Sequence, residues 1–438
     1  MSTTNHLPDL QDHLSDPLFQ ARNHPLRASL SYEMHARKLP HFSAPARILQ
    51  FVMVMDEWHA EQSIALLNAR FPVAAEAASS SDRYRSIRVG DLGVCWERHT
   101  EFITYTFIAE GQSAALFDLA PFGEALRWIA EIPGEIIRSS NVCLIKEEMP
   151  SQEDVAHSFS LDDLVISDVA DGNARIYSDF RLHEDGFGRL LILDKGLVGG
   201  EPSQLVQRLQ ELGNYRKLAL LGLPVAQQAT PVLTELERRL TDITEEISQP
   251  DANVDTVLGK LTGLSTELAQ IAMRTHYRMS ATRAYASICF DRIRRLSVAS
   301  VRGYGSLDDF TERRLLPAMR TCDAFSQRLD DLAQRVNWTS ALLRTQVDTA
   351  LARRNRDLLA SMDRRTALQL RLQHTVEGLS VVAVSYYCLG LWHYMKEALG
   401  SSGTSVPHWI DLLLIPAVVV LVWLGISQLK KVKRPSGH

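Results

Sequence analysis

Two long apolar runs near the end of the chain dominate its hydrophobic pattern. Residues 375–395 read TVEGLSVVAVSYYCLGLWHYM, and residues 409–427 read WIDLLLIPAVVVLVWLGIS. Each run is roughly 20 residues long, enough to cross a hydrocarbon layer of about 30 Å as a helix. Glu377 and Asp411 stand near the ends of the runs, where a carboxylate still reaches water. The Gly- and Ser-rich link 396–408 fits a tight turn between antiparallel spans. A buried pair of core helices is the competing reading.

Ahead of this hairpin the period changes twice. Residues 48–55 (ILQFVMVM) form a nearly continuous apolar run, suited to a strand buried on both faces. Asp56 is placed to cap a helix through Phe71, with Ile64, Leu67 and Phe71 at helical spacing. Short β-branched and aromatic stretches follow at 86–89, 94–98, 102–109, 135–145, 164–168, 174–182 and 189–193, with a helix at 122–132. Asp171-Gly172 and Asp185-Gly186 mark turns between the last three. The pattern predicts an α+β domain with a largely antiparallel sheet over residues 25–200, after a mobile segment 1–24. In that segment's wake, residues 26–34 suit a short helix.

After Gly199-Gly200 the pattern turns helical. A helix is expected from Pro202 to about Leu221, broken by Pro224 and Pro231, then a second to about Ser248 and a third over 254–297. This helical region, 201–306, ends in a Gly303-Tyr304-Gly305 hinge. Ser306 with Asp309 resembles a capping box, and no stop signal follows until the loop after the first apolar run. Cys322, Phe325, Leu329, Leu332, Val336, Leu343 and Val347 keep a 3–4 spacing, a coiled-coil-like seam interrupted by Thr339. Residues 307–374 are therefore read as a stalk helix, on the order of 100 Å long to Arg371, with Pro317 placed to bend its start. The hairpin 375–427 and a basic tail 428–438 complete the chain.

Charge orients the hairpin. Arg364, Arg365 and Arg371 precede the first run and Lys430, Lys431, Lys433 and Arg434 follow the second, whereas Lys396 is the lone basic residue of the link. The positive-inside bias puts both termini in the cytosol and the link outside, and these basic residues beside anionic lipid headgroups. The net charge of −5 gives no reason to expect a nucleic-acid partner. Residues 1–16 lack the apolar core of a signal peptide. The five cysteines stand apart with no CxxC pair, as in a reduced cytosolic protein.

Candidate chemistry is sparse. The densest polar cluster holds His24, Glu33, His35, Arg37, His41 and His59. Glu33-x-His35 puts a carboxylate and an imidazole on one face of a strand, and His24 or His59 would complete a divalent-metal site. Acid–base catalysis and a plain Glu33–Arg37 helical salt bridge are the other two readings. No GxGxxG, P-loop or GxSxG motif occurs. Along the first apolar run, Ser385, Tyr386 and Gly390 are the candidate pore-lining residues.

Two resemblances follow from these residues. His24-Pro25-Leu26-Arg27, Glu33-x-His35-Ala36-Arg37 and the C-terminal hairpin resemble a bacterial family of uncharacterised membrane-anchored proteins, whose domain of unknown function spans nearly the whole chain. That resemblance implies a protein of the bacterial inner membrane and no particular activity or cofactor. The architecture also resembles CorA-type magnesium channels, which carry Gly-Met-Asn at the outer end of the first span. Here Gly390 is followed by Leu391 and Trp392, and tryptophan offers no amide oxygen to a hydrated cation. The resulting expectation is a homo-oligomeric binding or scaffold protein of unestablished activity in the inner membrane. A CorA-like cation channel and a membrane-anchored metal-dependent enzyme are its alternatives.

Overall fold

The computed structural model describes residues 22–27, 30–31, 38–70, 83–111, 115–146, 150–249, 253–400 and 408–432. They fall into two compact units, residues 1–337 and 338–438, with the boundary inside one helix.

The first unit is built on a nine-stranded sheet. In chain order its elements are β1 (Ala46–Val54), α1 (Glu57–Arg70), β2 (Tyr84–Val89), β3 (Leu92–Arg98), β4 (Phe102–Glu110), α2 (Gly123–Glu131) and β5 (Glu135–Lys146). Then come α3 (Gln152–Ser158), β6 (Val165–Val169), β7 (Ala174–Ser178) and β8 (Gly188–Asp194). The helices α4 (Glu201–Leu220), α5 (Gly222–Ile247) and α6 (Val254–Arg294) precede β9 (Ala299–Ser300) and α7 (Leu307–Gly400). The strand order is β2-β3-β4-β1-β5-β8-β7-β6-β9. Every neighbouring pair is antiparallel except β5 with β8, which run parallel from Ser140↔Gly188 to Lys146↔Asp194. The sheet is thus largely antiparallel, as the alternation of short strands implied, with one parallel seam in its middle.

β1 lies at the centre, which explains its unbroken apolar sequence: residues 46–53 are all buried. Its Leu49, Phe51 and Met53 join Leu67 of α1 and Phe122, Trp128 and Ile129 in the core of one face. Val52, on the opposite face, packs with Phe102 and Leu218 of α4. α4 therefore covers the second face over β1 and β5.

Three local expectations need correction. The strand expected to run to Leu182 ends at Ser178, because Phe180 takes a positive φ of 54° and turns the chain. Pro224 and Pro231 do not break the helix. The break falls at Leu221–Gly222, leaving Pro224 in the first turn of α5 and Pro231 inside it. Gly222 is required there because a Cβ would overlap the Thr282 side chain of α6. The sheet also reaches beyond residue 200, since β9 pairs with Ser167 and Asp168 of β6. Two residues carry no periodicity, so nothing in the pattern marks β9.

α7 begins where its capping signal stands. Ser306 Oγ accepts from Asp309 N at 3.3 Å, and Leu307 N donates to Ser167 Oγ at 2.9 Å, tying the helix start to β6. Within the first unit, the seam residues Cys322, Phe325, Leu329, Leu332 and Val336 are buried. Arg328 pairs with Glu237 of α5 at 2.7 Å and Arg283 of α6 with Asp323 at 3.2 Å.

The second unit holds the rest of α7 and the helix α8 (His408–Val432). Leu343 is buried, and Val347 is exposed. Beyond it large apolar side chains face outward, among them Leu379, Tyr387, Leu391, Leu412 and Leu421. Among the described residues one helix, Leu307–Ala398, contains an 18-residue window apolar enough to cross a membrane, and Leu412–Gly425 is a shorter apolar stretch. Apolar surface exposed on this scale is associated with a membrane or a protein partner rather than with water.

A candidate anion-binding cavity

The strongest concentration of unusual chemistry lies in the first unit, between the sheet and α4. Leu209, Leu212, Gly213, Arg216 and Lys217 share one face of α4 by their helical spacing, and all line a cavity of about 480 Å³. β5 contributes Arg138 and Ser139, and the corner after β7 contributes Phe180. Register sets the direction of Arg138. It stands opposite Val52 of β1, as Ser140 stands opposite Gln50, and this pairing puts both on the α4 side of the sheet.

Arg138 is held by neutral groups. Its Nη1 donates to Gln210 Oε1 at 2.7 Å, Asn214 Oδ1 at 2.8 Å and Gln50 Oε1 at 3.2 Å. Its guanidinium lies across Gly213, where a Cβ would come within 2.7 Å of Nη2 and 2.8 Å of Cζ. Glycine at that turn of α4 is what lets the side chain lie flat. Arg216 rests on aromatic faces: its Cζ is 4.4 Å from the Phe180 ring and 5.5 Å from that of Phe310. Those two rings stack at 4.2 Å. A cation over an aromatic face recovers part of the lost hydration, but it is no counter-ion.

The cavity's other charges are balanced. Arg189 pairs with Asp185 at 2.9 Å, and Arg181 pairs with Asp163. Burial raises Asp185, but Arg189 and the Phe187 N–H outweigh it and hold the carboxyl below its ordinary range. Arg138, Arg216 and Lys217 form no ion pair among the described residues. Burial pushes Arg138 down to about 9, with the positive Arg216 adding to the effect. Burial pushes Arg216 down to about 10. Lys217, exposed at the edge, is lowered by partial burial and then by Arg216 and Arg138. Two guanidinium groups crowded by protein without a carboxylate are costly, on the order of a few kcal/mol, and an anion between them removes that cost.

The backbone at Phe180 is strained as well. A bulky residue at positive φ costs about 1–3 kcal/mol and persists only where the surroundings impose it. Here buried Asp179 imposes it, accepting from Ser160 N at 2.9 Å, Arg181 N at 3.1 Å and the His183 ring at 3.2 Å. The strain delivers the ring beneath Arg216.

Across α4, Gln207, Gln210, Glu211 and Asn214 line a second, smaller cavity of about 240 Å³. There Arg292 pairs with Glu211 at 2.7 Å, and the His99 ring lies 3.4 Å from Glu97. The charge imbalance belongs to the first cavity alone of the two.

The residues singled out by the sequence lie elsewhere. His24 is exposed, and its Nδ1 accepts from Leu26 N at 3.1 Å. His59 Nδ1 sits 2.7 Å from Asp56 Oδ1, an exposed helix-start pair. Glu33 and His35 lie outside the described residues, and among the described residues no group of three His, Cys, Asp or Glu side chains is placed to hold a metal. In the first apolar run Ser385 is buried, with no hydrogen-bond partner for its Oγ, Tyr386 is 75% exposed and Gly390 is half-buried. Arg364, Arg365 and Arg371 are exposed on α7. The side chains of Lys430 and Lys431, and all of Lys433 and Arg434, fall outside the described residues. Sequence reasoning missed Arg138, Arg216 and Lys217. One signal was available: Arg138 is a charge amid the apolar strand EIIRSSNVCLIK.

The model of a family described as "Protein of unknown function (DUF3422)" matches residues 22–432. No curated protein and no solved structure matches the chain.

Proposed function

We propose that this chain, which belongs to the DUF3422 family, is a membrane-anchored binding protein whose first unit takes up an anion. The observation that carries the reading is the pair Arg138 and Arg216, crowded by protein beside a cavity with no carboxylate partner. Charged side chains are buried where something neutralises them. Nothing in the cavity pairs a nucleophile with a base, which favours binding over turnover. The two apolar runs serve as a hairpin in the bacterial inner membrane, with both termini cytosolic and the basic flanks on anionic lipid. The outward seam beyond Leu343 is a contact between copies in a homo-oligomer.

The test is anion-dependent stability of the full chain in phosphatidylcholine nanodiscs. At constant ionic strength, phosphate or sulfate should raise the melting temperature above its value in chloride. A dissociation constant one-hundredth of the anion concentration corresponds to about 2.7 kcal/mol of stabilisation. Arg138→Gln should abolish the difference. Equal melting in all three anions removes the reading.

One observation favours the second reading, a CorA-like channel: α7 runs without interruption from the first unit into the apolar window. An image of the solubilised protein distinguishes the two, since a channel requires a ring of first spans around an axis.

A further inference from the structure

The geometry points to an organic phosphate carrying an apolar group as the ligand of the Arg138–Arg216–Lys217 cavity. This rests on the anion-binding reading above and narrows it. Three cations without carboxylate partners among the described residues line one cavity, two of them, Arg216 and Lys217, adjacent on α4. A single carboxylate would leave two of them unmatched. A phosphate monoester carries a charge of about −1.5 to −2 at neutral pH and presents three acceptor oxygens, and guanidinium forks bind such oxygens two at a time. The two N–H groups of Arg138 Nη1 are already shared among three amide oxygens. Among the described residues its Nε and Nη2 make none, and they are the donors left for a ligand.

The rest of the wall is unsuited to a bare ion. Phe51, Ile137, Phe187, Leu209 and Leu212 surround the remaining space. At about 480 Å³ it falls within the range of roughly 300–1,000 Å³ common to organic-ligand pockets. That is several times the room a phosphate's five heavy atoms take. Leu182 and Ile136 also line the cavity while being 74% and 50% exposed. Apolar side chains facing water at a cavity's edge mark where an apolar group leaves it. The polar end therefore holds the phosphate, and the hydrocarbon runs past Leu209 and Leu212 toward Leu182.

Calorimetric titration of the full chain in phosphatidylcholine nanodiscs tests this, with inorganic, methyl, butyl and hexyl phosphate as probes. Affinity should rise with chain length, by about fourfold per methylene buried. Lys217→Gln, at an exposed position, should weaken every phosphate in the series, as should Arg138→Gln. Leu182→Ser, also exposed, should weaken hexyl phosphate and leave inorganic phosphate unchanged. Hexanol and hexanoate should bind at least tenfold more weakly than hexyl phosphate. Equal binding of inorganic and hexyl phosphate overturns the apolar group and leaves the anion reading standing. Hexanoate as tight as hexyl phosphate overturns the phosphate. No phosphate binding at all, or binding indifferent to both Arg138→Gln and Lys217→Gln, sinks both readings together. Nanodiscs containing phosphatidic acid should compete with hexyl phosphate if the natural ligand is a membrane lipid and fail to compete if it is a soluble ester. Either result supports the shared chemistry.

Discussion

Gly213 shows how one missing side chain positions a charge. A methyl at this place would collide with the Arg138 guanidinium at 2.7–2.8 Å. Gly213→Ala should therefore destabilise the first unit by about 1–3 kcal/mol, although alanine is the better helix former. Denaturant unfolding of Gly213→Ala, Arg138→Gln and the double variant should show a coupling of about 0.5–3 kcal/mol. Strict additivity would mean that the guanidinium does not lie across this glycine. Buried thiols set a second, pH-dependent effect. Burial raises Cys95, Cys143 and Cys289 to about 11, against 9.0 for a free thiol. The folded chain thus keeps protons that the unfolded chain loses. This contribution is complete below about pH 9 and is lost as pH rises through 11. Unfolding midpoints measured between about pH 9 and 11 should fall, and fall less steeply in Cys143→Ala.

At the scale of elements, α4 and α7 do the dividing. α4 puts its 209–217 face on the charged cavity and its 207–214 face on the balanced one. α7 was legible from its 3–4 spacing, and its buried positions follow that spacing to Leu343. The seam's two halves should respond differently to charge. Leu332 is 1% exposed in the first unit, and Leu332→Asp should lower that unit's stability by several kcal/mol. Val347→Asp, at an exposed position of the same seam, should leave the sheet's circular dichroism and melting intact while separating copies of the proposed oligomer in sedimentation. If Val347→Asp sediments like the parent, the distal seam is not a contact between copies.

At the scale of the whole molecule, the prediction concerns topology. Four of the five cysteines, Cys95, Cys143, Cys289 and Cys322, are buried, and Cys388 is exposed on the apolar run. A Cys388→Ala background therefore suffices for single-cysteine labelling in intact cells. Ser402→Cys should react with an impermeant reagent added outside, and Ser436→Cys should not. The reverse pattern overturns the charge argument for orientation.

Sequence by itself determined what depends on near neighbours along the chain. The unbroken apolar β1 announced a central strand, because a strand covered on both faces has no position left for polar residues. Eight of the strands, the capping of α7 by Ser306 and the apolar runs were legible for the same local reason. Only tertiary structure decided the parallel pairing of β5 with β8, the return of β9 to the sheet and the site itself. Arg138 and Arg216 are 78 positions apart, and although Arg138 stands amid an apolar strand, neither residue announces the other. Their significance comes from sharing a cavity whose one lining carboxylate, Asp185, is already paired with Arg189. Charge balance is a property of a volume in space, and linear spacing carries no record of which groups will enclose it.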